Sequence, residues 1–419
     1  MKNFFKIWMA ALLLVGAVGC EYDDDELWDK VNDLEEQVQQ NKETIATLQA
    51  LVEALNQGKV IMNVEQTEEG YKLTFSDGST VVVNHGKDGQ DGQDGQNGQD
   101  GDSFFQSVVV TGDSVIITLS DGRTIELPLL QRETAVYATG SDGKQGVYWR
   151  NGVATVLKSP ISETAKWTRG KAITVVDGDV YVAGYETRTV ILWINGEPTA
   201  LTDNTVDVSV HDMAIVGNDI YIVGAYNSDP VYWLNGEMKT LGSMGEIRSV
   251  EVDGTDVYMS GSDNGMAVYW KNGERVALST DPWTYADAYG ISVADGNIFA
   301  AGYYDSEAAT WLNGTMTQLT NDWNYAQCRC CMISGTDYYA AGNDGYNPVY
   351  WINGTMTTLE TCNSFGTVIG IEQVGDTIYM NGICDNQAVI WVNGEKQVLA
   401  EATTGPSAYG LYVVEEIVE

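Results

Sequence analysis

Positive charge is scarce in this chain. Its 419 residues carry 22 lysines and arginines against 59 aspartates and glutamates, a formal charge of −37. A polyanion is repelled at long range by such a surface, which excludes nucleic acid as a partner. Histidine is scarcer still. His85 and His211 are the only two, and neither has a second histidine at ligand spacing, so no metal centre and no cofactor is called for. Calcium in the Asp/Asn-rich stretches 262–265 and 343–346 stays open beside their reading as ordinary turns. The first twenty residues are apolar but too short to span a bilayer. Hydrophobic residues are plentiful at 44%, ample for a packed core, and the length suits two or three domains.

The chain opens as MKNFFKIWMAALLLVGAVGC, two lysines, an apolar run and small residues. This is the order of a secretory signal, assigned to residues 1–19. Its ending, Ala17-Val18-Gly19-Cys20, resembles the lipobox of bacterial lipoproteins, with alanine where leucine is usual. The resemblance implies that Cys20 is acylated and anchors the protein to the outer membrane. The EYDDDE that follows resembles a surface-export signal of some Gram-negative gut bacteria, or serves as a solvated spacer.

Residues 20–57 form an acidic tether and a coiled coil. Leu27, Val31, Leu34, Val38, Asn41, Ile45, Leu48, Val52 and Leu55 alternate steps of four and three, leaving one narrow apolar stripe. The β-branched set Val31, Val38, Ile45 and Val52 favours a parallel dimer, Asn41 fixes its register, and Gly58 ends the helix. Residues 58–130 hold two β-hairpins, 71–84 and 115–128, turning at Asp77-Gly78 and Asp121-Gly122. Between them glycine recurs at 86, 89, 92, 95, 98 and 101 without proline. That segment is a collagen-like trimer element or a flexible acidic linker, so the expected homo-oligomer is a dimer or a trimer. Lipobox, coil, glycine triplets and second hairpin together resemble the N-terminal stalk of some family-29 polysaccharide lyases and other surface lipoproteins. The resemblance covers roughly residues 20–130 and implies a location and a glycan-related setting, with no catalytic domain of that family following it.

Residues 131–419 are periodic. VYWRNGVATVL, ILWINGEPTAL, VYWLNGEMKTL, VYWKNGERVAL, ATWLNGTMTQL, VYWINGTMTTL and VIWVNGEKQVL place tryptophans at 149, 193, 233, 270, 311, 351 and 391. Spacings near 40 residues built from short strands mean propeller blades. Asn-Gly between apolar strands predicts a type I′ hairpin. Only one strand, 134–140, precedes the first phrase, and a strand over 408–418 is left over, so the last strand is expected to complete the first blade. The fold class is therefore all-β, resembling seven-bladed β-propellers, behind a coiled-coil and β-hairpin stalk. The repeated tryptophans read as core between blades.

Function is sought where the repeats differ. Aligned by the first turn of each blade, one position reads Lys171, His211, Arg248, Tyr289, Arg329, Ile369 and Tyr409, expected at the start of the first strand near the channel mouth. The same loops supply Trp167, Trp283, Tyr285, Trp323 and Tyr325. Arginines hold a carboxylate or sulfate by paired hydrogen bonds and aromatic faces stack on sugar rings, so the ligand expected is an extracellular, anionic glycan. Alternatively the cations neutralise loop carboxylates such as Asp203, Asp207, Asp281 and Asp287. The chain is read as a binding protein and not an enzyme. A polysaccharide lyase acting on uronic-acid polymers is the runner-up, since it needs a carboxylate neutraliser and a Tyr, His or Lys base; a protein-interaction propeller is the third reading. The stretch 141–149 only loosely resembles a sialidase Asp-box. Of the five later cysteines, Cys362 and Cys384 are the expected disulfide and Cys328–Cys362 its rival, with buried thiols as the alternative.

Overall fold

The computed structural model describes residues 24–68, 70–84, 104–161, 168–281, 283–321, 325–360, 362–400 and 405–418. Cys20 and its signal, His85, the glycine-triplet segment, Trp167 and Trp323 lie outside the described residues. The chain divides into two units, Met1–Arg132 with Ile417–Glu419, and Glu133–Glu416.

Among the described residues the first unit has one helix, α1, Asp24–Asn56. It ends where Gly58 takes φ 65°, with Gly58 N–H donating to Leu55 and Lys59 N–H to Ala54, a Schellman cap. Two three-stranded sheets follow, Ile61–Thr67 with Gly70–Phe75 and Thr80–Asn84, and Phe105–Val110 with Ser114–Leu119 and Thr124–Pro128. Each expected hairpin thus gains a preceding strand. The buried core joins Leu51 and Ala54 of the helix to Ile61, Leu73, Phe75, Val115, Ile117 and Leu127. Most of the heptad stripe does not pack: Leu34, Val38, Ile45, Val52 and Leu55 stay exposed, while Leu48 alone of the stripe joins Leu51 and Ala54 against the sheets among the described residues.

The second unit contains seven four-stranded antiparallel sheets among the described residues, a β-propeller-like arrangement. Six are continuous in sequence: 168–200, 208–240, 245–277, 286–318, 327–358 and 366–400. The seventh joins Ser407–Val418 to Gln131–Ser141, Gly146–Arg150 and Val153–Val156. All seven repeated tryptophans sit in third strands and are fully buried. Trp351, for example, packs with Phe299, Ala301 and Ala308 of the preceding sheet.

The Asn-Gly turns are of the expected kind, with positive φ at both residues, as at Asn353 (50°) and Gly354 (82°). The asparagine also has a second role. Asn353 Oδ1 accepts the Tyr338 backbone N–H at 2.9 Å and its Nδ2 donates to Asp337 at 2.7 Å. The same backbone bond recurs at Asn151, Asn195, Asn235, Asn272, Asn313 and Asn393. Each phrase therefore ties its own turn to the start of the second strand.

Candidate functional site

The first strand of each of the six continuous sheets carries a β-bulge at one position. Pairing with the second strand runs to Gly170 and resumes at Ala172. It skips one residue likewise at 211, 248, 289, 329 and 369. These are the residues at which the repeats disagree. They lie inside the strand, as its third or fourth residue, and not at its start as alignment of the turns suggested. A bulge leaves one residue out of the ladder and re-aims its side chain. Opposite it each second strand has a glycine, such as Gly184, Gly224 or Gly342, where a Cβ would collide with the carbonyl oxygen of Arg169, Ser209 or Gln327. Gly140 stands in the same relation to Ser407, which places Tyr409 in the equivalent position.

All seven residues, Lys171, His211, Arg248, Tyr289, Arg329, Ile369 and Tyr409, line one cavity of about 430 Å³. Their charges are not equally matched. Arg248 donates through Nε to Asp287 Oδ2 at 3.0 Å, its Nη2 makes an ion-pair contact with the same oxygen at 3.0 Å, and Nη1 lies 3.1 Å from Glu246. Glu246 is also bonded to His211 Nε2 at 2.5 Å. Burial brings His211 down to about 4, against the pull of Glu246, so its ring is neutral at physiological pH. Arg248 is thus a structural ion pair with Asp287, as one reading of the loop carboxylates required. Asp207 pairs instead with Arg188, while Asp203 and Asp281 hold Thr205 and Thr284 within their own loops.

Lys171 and Arg329 differ. Neither has a carboxylate within ion-pair distance among the described residues. Lys171 Nζ sits 3.4 Å from the Tyr409 ring centroid, and burial, then the nearby guanidinium of Arg169, brings it down to about 8. The Arg329 guanidinium lies 4.7 Å from the Tyr289 ring, on which Arg248 also stacks, and its buried Nε has no hydrogen-bond partner. Cation–π contact offsets part of the desolvation of these groups.

A second belt, absent from the sequence reading, lies further along the same strands. Burial pushes Glu251 and Glu372 up to about 7; for Glu372 the carboxylates of Glu251 and Asp212 add to it. The unfolded chain keeps these groups near 4.5, so the folded state binds extra protons between pH 4.5 and 7 and loses stability as pH rises through 7. The part due to Glu372 is about 2–3 kcal/mol. Urea midpoints at pH 5 and pH 7.5 are expected to fall less for Glu372→Gln than for the wild type; an equal fall would contradict this assignment.

Exposed aromatics crowd one arc of loops. Trp283 and Tyr285 precede the sheet 286–318, Tyr325 and Tyr346 belong to loops of 327–358, and Phe365, which also lines the cavity, precedes 366–400. The Tyr285 ring lies over Gly265 of the neighbouring sheet. Cys362 and Cys384 form a disulfide with Cα atoms 5.5 Å apart, while Cys328, Cys330 and Cys331 are free. Burial pushes all three thiols up, and Cys330 and Cys331 line the cavity. No group of three His, Cys, Asp or Glu side chains placed to hold a metal occurs among the described residues.

Residues 21–97 match DUF4988, a domain of unknown function. The DUF4988 segment holds α1 and the first three-stranded sheet, and none of the cavity residues. Among curated proteins none matches. Similar solved structures include the WD40 β-propeller domain of Doa1, at 20% identity and TM-score 0.44, covering 57% of this chain and 84% of that one. The computationally designed Ika8 protein is similar at 13% identity and TM-score 0.40, over 75% of this chain and 97% of that one. A chain of the nidogen/laminin complex is similar at 10% identity and TM-score 0.40, over 67% and 98%.

Proposed function

We propose that this protein is a lipid-anchored, surface-exposed binding protein of the outer membrane, in which a seven-bladed β-propeller recognises an anionic extracellular glycan through its central cavity. One observation carries the reading. Lys171 and Arg329 line the cavity with no carboxylate within ion-pair distance of either among the described residues, in a chain of net charge −37. A sulfate or carboxylate supplies the missing partner, and Arg329 can hold it through its planar fork. The exposed Trp283, Tyr285 and Tyr325 lie in the loops that lead into the same strands, and with Tyr346, in the turn between the second and third strands of its sheet, they offer faces for further sugar rings.

The stalk supports presentation away from the membrane. Leu34, Val38, Ile45, Val52 and Leu55 of α1 remain exposed within one chain, and a coiled coil with further copies would cover them. The resemblance of residues 20–130 to stalks of surface lipoproteins agrees with anchoring at Cys20.

Calorimetric titration of the full chain with sulfated and uronate-containing oligosaccharides tests the reading. Binding is expected, and Arg329→Met should weaken it at least tenfold. Absence of binding across the panel, or an unchanged affinity in the variant, would remove it. Neutral His211 favours a second reading, a uronate lyase. Its Nε2 is committed to Glu246, however, and Tyr289 is pushed up by burial and keeps its proton. Unsaturated, ultraviolet-absorbing products from uronic-acid polymers would revive it.

A further inference from the structure

The cavity has two poles of opposite charge. Lys171 and Arg329 stand at the bulge. In the strand Gly366–Val374, Ile369 occupies that same level and Glu372 follows three residues later, about 10 Å further along an extended chain. In Gly245–Asp253 the step from Arg248 to Glu251 is the same. Glu372 lines the cavity with Lys171 and Arg329. It is largely buried and makes no hydrogen bond among the described residues. The charges acting on it are the carboxylates of Glu251 and Asp212, whereas those acting on Lys171 are the guanidiniums of Arg169, Arg248 and Arg329 and the carboxylate of Glu246. Asp212 is already occupied, accepting from Ser249 Oγ at 2.8 Å and from the backbone of Val250 at 3.0 Å. Glu372 is the acceptor left open at the far pole.

We infer that the ligand is zwitterionic, an acidic oligosaccharide whose inserted end carries an unsubstituted amine, with its anionic group at Lys171 and Arg329 and its ammonium group at Glu372. The inference rests on the glycan reading above and deepens it. A purely anionic ligand satisfies one pole and leaves Glu372 buried beside two other carboxylates. An ammonium group some 10 Å from the acid satisfies both, and a uronic acid joined to an amino sugar has about that reach. The cavity of about 430 Å³ has room for two sugar rings.

The experiment uses the full chain and two probes, a disaccharide of uronic acid and glucosamine with a free amine, and the same disaccharide N-acetylated. The free-amine form is expected to bind roughly tenfold tighter, as a charge-assisted hydrogen bond to a buried carboxylate should give. Glu372→Gln should abolish that preference by weakening the free-amine form alone, while Arg329→Met should weaken both. Equal binding of the two probes to the wild type, or a preference that survives Glu372→Gln, overturns this inference and leaves the anionic-glycan reading standing. Binding of neither disaccharide, with longer acidic oligosaccharides still bound, also overturns it. Failure of every acidic sugar overturns the reading beneath it as well.

Discussion

Replacing Arg248 with methionine is expected to lower stability by about 3–5 kcal/mol, and replacing Arg329 with methionine to leave it unchanged or raise it. The two arginines stack on the same tyrosine ring at the same 4.7 Å, yet their surroundings are opposite. Asp287 is 3% exposed and receives a hydrogen bond and a second ion-pair contact from Arg248. Removing the guanidinium strands that carboxylate away from water. Arg329 has the Tyr289 ring beside it but no carboxylate within ion-pair distance among the described residues, so its loss strands no partner charge. Urea unfolding followed by tryptophan fluorescence separates the cases. A large loss in Arg329→Met would make Arg329 a structural residue and withdraw it from the ligand.

Trp351→Ala is expected to cost about 3–5 kcal/mol, the usual penalty for emptying a site of that size. The side chain is 1% exposed and fills the space between its own sheet and the preceding one. Its Nε1 has no hydrogen-bond partner, so Trp351→Phe forfeits only volume and should recover much of the loss. Trp193 provides the control, because its Nε1 donates to the Lys158 carbonyl at 2.6 Å. Trp193→Phe should therefore be costlier than Trp351→Phe in the urea midpoint. Equal losses would mean that the bond at Trp193 contributes nothing.

The repeat made much of this legible. Seven copies of Trp-X-Asn-Gly fix strand register, and the leftover strand 408–418 anticipates the sheet that unites Ser407–Val418 with Gln131–Ser141. The position where the copies differ proves to be the cavity belt. The bulge that aims it was missed, although its signal was present. A glycine stands inside the second strand of each repeat, and glycine within a strand marks a bulge or a close backbone approach. Glu251 and Glu372 were missed because the comparison stopped at one column; three residues on, the others read Thr174, Ala214, Ser292, Met332 and Tyr412. The partner choices of Arg248 and Arg329 were not readable at all. They depend on which carboxylate the neighbouring sheet brings within 3 Å. In the first unit, the heptad rule found the helix but not Leu51 and Ala54, which pack on the sheets beside Leu48 and are not members of the stripe.

The seventh sheet also sets an order of events during synthesis. Its inner strand, Ser407–Val418, leaves the ribosome roughly 250 residues after Val156, which at about 5–20 residues per second is on the order of 10–50 s. Through that interval Gln131–Ser141 has no neighbour on its inner edge, and Trp149 waits beside Ala388 and Ala408, which do not yet exist. Until the last strand arrives the first sheet cannot be completed, so the final strand sets the moment at which the unit closes.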